Sequence, residues 1–204
     1  MPRLPEQNRA IKDKRRQKLM ECALKTFIHV GYDNATVDHI TKSAKCSHGL
    51  FYHYFQKMED ILNAVYQEII LPSPIAALTT VYDGLHGAQG RRLLAANVEK
   101  AQSLSGKDLT TLMGVIRILE SKTADKAGTG IRERFDIHPV LSRLIKEGQA
   151  EGKVIEGDPD EIEYAFFTLT RGCLIRKRTN AKDSRTISGA ILLRTLLRVP
   201  DSQI

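Results

Sequence analysis

The chain is poor in cysteine. Cys22, Cys46 and Cys173 are odd in number, far apart and form no Cys-x-x-Cys pair. Structural zinc sites and disulfide frameworks need paired spacings, so neither is expected, and a reducing cytoplasm fits. No stretch of about 18 apolar residues occurs, which excludes a membrane-spanning helix. The N-terminal charges are followed by no apolar run, so no signal peptide is expected. Sustained period-2 alternation is missing, and with it the sign of a half-buried sheet. Internal repeats and low-complexity segments are also missing.

Six histidines do not make a metal site. His48 and His53 are five apart and do not share a helix face as an i, i+4 pair would. His39 falls on an outer helix face, and His29, His86 and His138 are isolated. Ser105-Gly106-Lys107-Asp108 lacks both the leading glycine and the Ser/Thr after lysine that a phosphate-cradling loop requires. No nucleophile with a recognisable base is seen. No catalytic residue, metal or cofactor is therefore expected.

What is present is a soluble, helix-forming composition with 42% hydrophobic and 27% charged residues. At 204 residues the chain can bury a core without staples. The formal net charge is +7, which favours an anionic partner. Its placement is uneven. Residues 1–18 carry Arg3, Arg9, Lys12, Lys14, Arg15, Arg16 and Lys18 against Glu6 and Asp13, whereas residues 19–60 carry four basic and five acidic groups. Residues 1–12 read as a basic arm, either a solvated tail or a contact to nucleic acid.

Apolar positions recur at helical spacing throughout. A first helix is expected over 13–30, with Leu19, Ala23 and Phe27 on its inner stripe and Gly31 as its stop. A short helix follows the N-cap candidate Thr36, with Val37, Ile40 and Ala44 inward. After Lys45-Cys46, Ser47 caps a third, in which Leu50, Phe51 and Tyr54 are apolar. A fourth starts near Met58 and turns Ile61, Leu62, Val65 and Ile69 inward. Pro72 and Pro74 end it and mark the expected boundary between a domain over 13–70 and one over 71–204. Further helices are expected at about 74–88, 91–104, 107–125, 138–151, 159–178 and 183–198. Asp158-Pro159 is a strong start signal. Ile162, Ala165, Phe166, Leu169 and Cys173 form one stripe, and the basic run Arg176-Lys177-Arg178 suits a helix C-terminus. The fold class is all-α.

The pair of short helices around the three-residue turn Lys45-Cys46-Ser47 carries the functional signal. Such helices cross steeply, so the second can enter a DNA major groove and bring its N-terminal side chains to base edges. Ser47, His48 and Gly49 occupy that N-terminus, and His53 lies one turn on. Gly49 allows close backbone approach. Thr36 caps a helix whose N-terminal N–H groups suit a phosphate. Tyr52 and Lys57 can reach phosphate oxygens, and Arg15 joins this set from the basic stretch.

The stretch from Gly31 to Phe55 resembles the signature of the TetR family of transcriptional regulators. The matching residues are Gly31, Tyr32, Thr36, Val37, Ile40, Ala44, Ser47, Gly49, Tyr52 and Phe55, with Ala23 and Phe27 fitting in the first helix. The resemblance covers roughly residues 13–70, and the run Leu144–Gly152, with its two Glu-Gly pairs, adds to it. The family usually has glycine where this chain has Lys45, which could help hold a phosphate. It usually has a phosphate-contacting lysine where this chain has Met58, and Lys57 is the candidate replacement.

The resemblance implies an N-terminal helix-turn-helix domain and a helical C-terminal domain that binds a small-molecule effector and dimerises. Helices 159–178 and 183–198 would form the homodimer as a four-helix bundle. Double-stranded operator DNA of pseudo-palindromic sequence is the expected partner, with half-sites about 34 Å apart or further. Repression relieved by the effector is the expected activity. Leu112, Met113, Ile116, Phe166 and Thr170 are candidates for the effector cavity, with Glu120 as a polar anchor, and each can equally be plain core. A regulator without an effector, or a helical enzyme with a vestigial DNA-binding domain, are the alternatives.

Overall fold

The computed structural model describes residues 5–79, 86–180 and 191. Every regular element among the described residues is helical, in agreement with the all-α expectation. The order is α1 (Pro5–Val30), α2 (Val37–Ala44), α3 (His48–Tyr54), α4 (Met58–Val65) running into a π turn (Tyr66–Ile70), and α5 (Pro74–Thr79). Then follow α6 (Gly87–Ser103), α7 (Gly106–Leu119), a 3-10 turn (Ala124–Ala127), α8 (Ile131–Phe135), α9 (His138–Ala150) and α10 (Pro159–Thr179). The expected helix at 183–198 and the far end of the one at 74–88 lie outside the described residues. No helix among those described is long and apolar enough to cross a membrane.

The chain forms two compact units, one of residues up to Ala76 with Thr110–Phe135, the other of Ala77–Leu109 with the residues from Asp136 onward. The division differs from a single cut near residue 70 in that residues 110–135 group with the N-terminal helices.

In the first unit, α1 buries Leu19, Met20, Ala23, Leu24, Phe27 and Ile28. Gly31, at φ +80°, donates its N–H to the Phe27 carbonyl at 3.0 Å and ends the helix. The expected basic arm, as far as it is described, is helical. Residues 5–12 are the first turns of α1, because Pro5 is pre-organised for a first helical position and no breaker stands between it and residue 13. Ile40, Phe51, Ile61, Leu62, Val65 and Ile70 from α2, α3, α4 and the π turn are fully buried. Phe27 meets Tyr32 edge-on at 5.2 Å.

Three features bind residues 110–135 into this unit. A Cβ on Gly114 of α7 would lie 2.2 Å from Leu24 Cδ1, so glycine allows α7 to press against α1. Phe135 of α8 packs edge-on against Tyr66. Asp33, in the loop after α1, accepts hydrogen bonds from Ser121 Oγ (2.6 Å), Lys122 N–H (2.9 Å), Thr123 N–H (3.2 Å) and Thr123 Oγ1. Arg132 steadies the same loop by donating to the Leu119 and Ser121 carbonyls and to Asp125.

In the second unit, α6, α9 and α10 share a core that includes Leu94, Leu141, Leu144, Ile145, Ile162 and Phe166. The Glu-Gly pairs of 144–152 have a structural use here. Glu147 accepts the Gly87 N–H at 2.8 Å at the start of α6 and pairs with His86 Nδ1 at 2.6 Å. Glu151 pairs with buried Arg91 at 2.6 Å. A Cβ on Gly148 would lie 2.2 Å from Val154 Cγ2, so only glycine lets residue 154 fold back onto α9. Asp158 caps α10 through the Asp160 N–H, with Pro159 next to it. The expected α10 stripe needs one correction. Ile162 and Phe166 are buried and Leu174 extends them, but Leu169 is 38% exposed, at the edge of the covered face.

The Asp33 clasp has a pH signature. Its carboxyl is held far below the ordinary carboxylate range by hydrogen bonds from Ser121, Thr123 and the Lys122 backbone, not by burial. A depressed folded value means that the contribution is present above the unfolded value, near 3.8, and is lost as pH falls through the folded one. Urea unfolding should show Asp33→Asn less stable than wild type at pH 7, with the gap shrinking as the buffer is acidified below the ordinary carboxylate range. A gap independent of pH would mean that the clasp acts through shape alone.

Candidate nucleic-acid interface

Two capped helices and a strained turn present one exposed surface. Thr36 is extended (φ −126°, ψ 160°), and its hydroxyl oxygen accepts the His39 N–H at 3.2 Å, capping α2. Lys45 then adopts the left-handed conformation (φ 54°, ψ 53°). The Cys46 N–H closes the helix end on the Thr41 carbonyl at 3.0 Å. Ser47 is extended again, and its Oγ accepts the Leu50 N–H at 3.3 Å, capping α3. A non-glycine side chain in the left-handed region costs about 1 kcal/mol. Burial of Ile40, Ala44 and Phe51 beneath the two helices outweighs it, since each large apolar side chain contributes about 1.5–3 kcal/mol.

Arg15, Thr36, Lys45, Ser47, His48, Gly49, Tyr52, His53 and Lys57 are all solvent-exposed. Eight of them come from the 36–57 segment, and Arg15 stands on α1 among exposed Lys12, Lys14 and Lys18. Tyr52 is 56% exposed, although its ring edge rests on buried Phe51 at 5.4 Å. His53 packs edge-on against Tyr54. The Lys57 N–H is held by Asp60 at 3.1 Å, which fixes the start of α4 and leaves the ammonium outside. Arg16 differs from its neighbour: it pairs with Glu68 and lies over the Phe55 ring at 5.3 Å, so its charge is used within the unit.

Gly49 is informative because nothing inside the protein needs it. Its backbone is not left-handed, and a Cβ there would meet only Ser47 Oγ at 3.9 Å. Glycine within a helix costs about 1 kcal/mol relative to alanine. The missing side chain leaves the outer surface open at this position.

The sequence reading missed Asp38 and Asp33. Asp38 in the first turn of α2 pairs with Lys42 Nζ at 2.7 Å and faces His48 Nε2 at 3.4 Å. No spacing rule links positions 38 and 48, because the turn between the helices brings them together. Asp33 reaches a loop about ninety residues away in sequence. Cys46 is half-buried, and burial pushes its thiol up. Among the described residues no group of His, Cys, Asp and Glu could hold a metal ion.

The effector candidates divide between the units. Met113 is buried in the first, with Leu112 and Ile116 half-buried and Glu120 accepting from Arg117 at 2.6 Å. Phe166 belongs to the core of the second, and Thr170 donates its hydroxyl to the Phe166 carbonyl at 2.7 Å.

Two short helices, capped at both N-termini, joined by a tight turn and exposed along the second, define a helix-turn-helix DNA-binding protein. Comparison with known proteins shows what this unit is similar to. The model for bacterial regulatory proteins of the tetR family matches residues 19–65. The transcriptional regulator AcuR of Cereibacter sphaeroides is 24% identical, over 79% of this chain and 75% of its own. The transposon Tn10 TetC protein of Escherichia coli is 25% identical, over 65% of this chain and 66% of its own. Similar folds include NalD of Pseudomonas aeruginosa, a secondary repressor of the MexAB-OprM multidrug efflux pump (18% identity, TM-score 0.53, 92% of this chain and 98% of that one). The SmeT–triclosan complex is another (15%, TM-score 0.52, 94% of each chain). Residues 19–65 thus carry a tetR-type DNA-binding domain, and the chain is a DNA-binding transcriptional regulator similar to TetR-family proteins.

The strain at Lys45 separates stability from binding. Lys45→Gly should raise the unfolding free energy by about 1 kcal/mol while weakening DNA binding, because a charge next to the reading helix is lost. Denaturant titration and fluorescence anisotropy measure the two effects. A variant that is both less stable and tighter-binding would contradict this reading of the turn.

Proposed function

We propose that this regulator is a repressor that binds a pseudo-palindromic operator as a homodimer and leaves it when a small molecule binds among the C-terminal helices, residues 71–204. The observation that carries the DNA reading is the exposed α3 N-terminus, with Ser47, His48 and an internally unneeded Gly49 side by side. Ser47, His48 and His53 read bases, whereas Arg15, Thr36, Lys45, Tyr52 and Lys57 hold phosphates. Lys57 takes the role that the family gives to a lysine at the Met58 position.

A second apolar face on α10 supports the dimer. Tyr164 is 76% exposed, Leu169 38% and Ile175 42%. Thr168 and Gly172 lie between them, both exposed. Such a face on one chain is stable in water when a copy covers it, and a two-fold dimer matches a two-fold operator. The partner helix expected over 183–198 lies outside the described residues. Effector release follows if the small molecule binds more tightly to the dimer whose reading heads are mis-spaced, since only differential affinity shifts such an equilibrium. NalD as a repressor and SmeT with triclosan bound support this part of the reading.

His48→Ala should cost about 1–3 kcal/mol at the operator and little on unrelated DNA, whereas Lys57→Ala should weaken both alike and lower the salt slope by about one. Ile175→Lys should sediment as a monomer and lose most operator affinity, because two linked reading heads bind far more tightly than one. An Ile175→Lys dimer with full affinity would refute the α10 interface. A His48→Ala protein with unchanged sequence preference would refute the assignment of base reading.

A further inference from the structure

His48 opens α3 with its side chain 55% exposed, and its Nε2 faces Asp38 Oδ1 at 3.4 Å. The other Asp38 oxygen holds Lys42 Nζ at 2.7 Å. Lys42, and to a lesser degree His48, draws the Asp38 carboxyl below its ordinary range, so the group that faces Nε2 is a carboxylate. A carboxylate offers only lone pairs. The imidazole meets it favourably only with the proton on Nε2. In the neutral ring that leaves Nδ1 as an acceptor, because the hydrogen bond at one nitrogen decides the role of the other.

We propose that Asp38 is a positioning residue that determines which bases His48 reads, by holding the imidazole in its Nε2–H form and so making the side chain a hydrogen-bond acceptor toward the major groove. This rests on the reading of α3 as the base-contacting helix. In the major groove adenine and cytosine offer amino donors, whereas guanine and thymine offer oxygen acceptors. An acceptor Nδ1 therefore favours adenine or cytosine on the contacted strand and sets lone pair against lone pair at guanine or thymine. Without Asp38 the ring proton is free to sit on either nitrogen, and His48 accepts or donates as the base requires. Asp38 also brings negative charge to a surface that meets phosphates, so its removal does not weaken general DNA binding. A residue that served only affinity would behave in the opposite way.

The test is selection of bound duplexes from a random pool by the full-length protein, followed by competition with single base-pair changes. It is run in mildly alkaline buffer on wild type, Asp38→Ala, Asp38→Asn and His48→Ala. Asp38→Asn preserves the shape of the side chain should the alanine variant fold poorly, and its amide pairs with either form of the ring. The expected result is one position per half-site that holds adenine or cytosine in wild type and loses that preference in His48→Ala. In both Asp38 variants the same position becomes tolerant, with discrimination falling about fivefold or more, the remaining consensus intact and overall affinity not reduced. Asp38 variants that retain the preference lost in His48→Ala would overturn the proposal, as would guanine or thymine at that position in wild type. A His48→Ala consensus identical to wild type would overturn the base-contact assignment and the proposal together. The absence of any wild-type consensus would instead refute the regulator reading itself.

Discussion

The candidate DNA-reading surface depends on one strained residue. Lys45 in the left-handed conformation ends α2 and redirects the chain so that Ser47 can cap α3 two residues later. Without that reversal, His48 and Asp38 would not face each other, and Gly49 would not reach the outer surface. The strain is small, about 1 kcal/mol, and it is held by larger forces. Phe51 and Ile40 are fully buried beneath the turn, and truncating a buried phenylalanine alone costs about 3–5 kcal/mol. The packing of two short helices thus fixes a backbone conformation that neither helix would choose by itself, and the position of every candidate base contact follows from it.

A second set of contacts holds this reading unit together over a long sequence distance. Asp33 follows directly on the Gly31-Tyr32 pair that ends α1, and its carboxylate gathers donors from Ser121, Lys122 and Thr123. Gly114 brings α7 against Leu24. The loop that leads into the helix-turn-helix is therefore fastened to the segment after α7, and residues 110–135 are structurally part of the DNA-binding unit.

Local signals were legible in the sequence where chemistry and spacing act within a few residues. Thr36 and Ser47 as caps, Gly31 as a stop and the inward faces of α2, α3 and α4 all follow from side-chain chemistry and helical period. The start of α1 was not legible, because residues 5–12 are mostly polar and give no apolar stripe, yet contain nothing past Pro5 that breaks a helix. Leu169 was assigned to the inner stripe because one apolar residue looks like another in sequence, and only packing decides which face is covered within the chain. Neither Asp33 nor Asp38 announces its partner: one acts over about ninety residues, the other across a turn whose geometry had to be seen. The family signature pointed to the candidate site, whereas the contact between Asp38 and His48 became visible only in three dimensions.

The central claim is that α3, carried by the Lys45 turn, reads a specific DNA sequence. Nuclease footprinting on the DNA that flanks this protein's own gene, in excess unrelated competitor DNA, tests it most directly. The expected result is a protected, roughly two-fold symmetric site that survives the competitor. Protection that vanishes as competitor is added, or none at all on any tested flank with a folded dimeric sample, would contradict it.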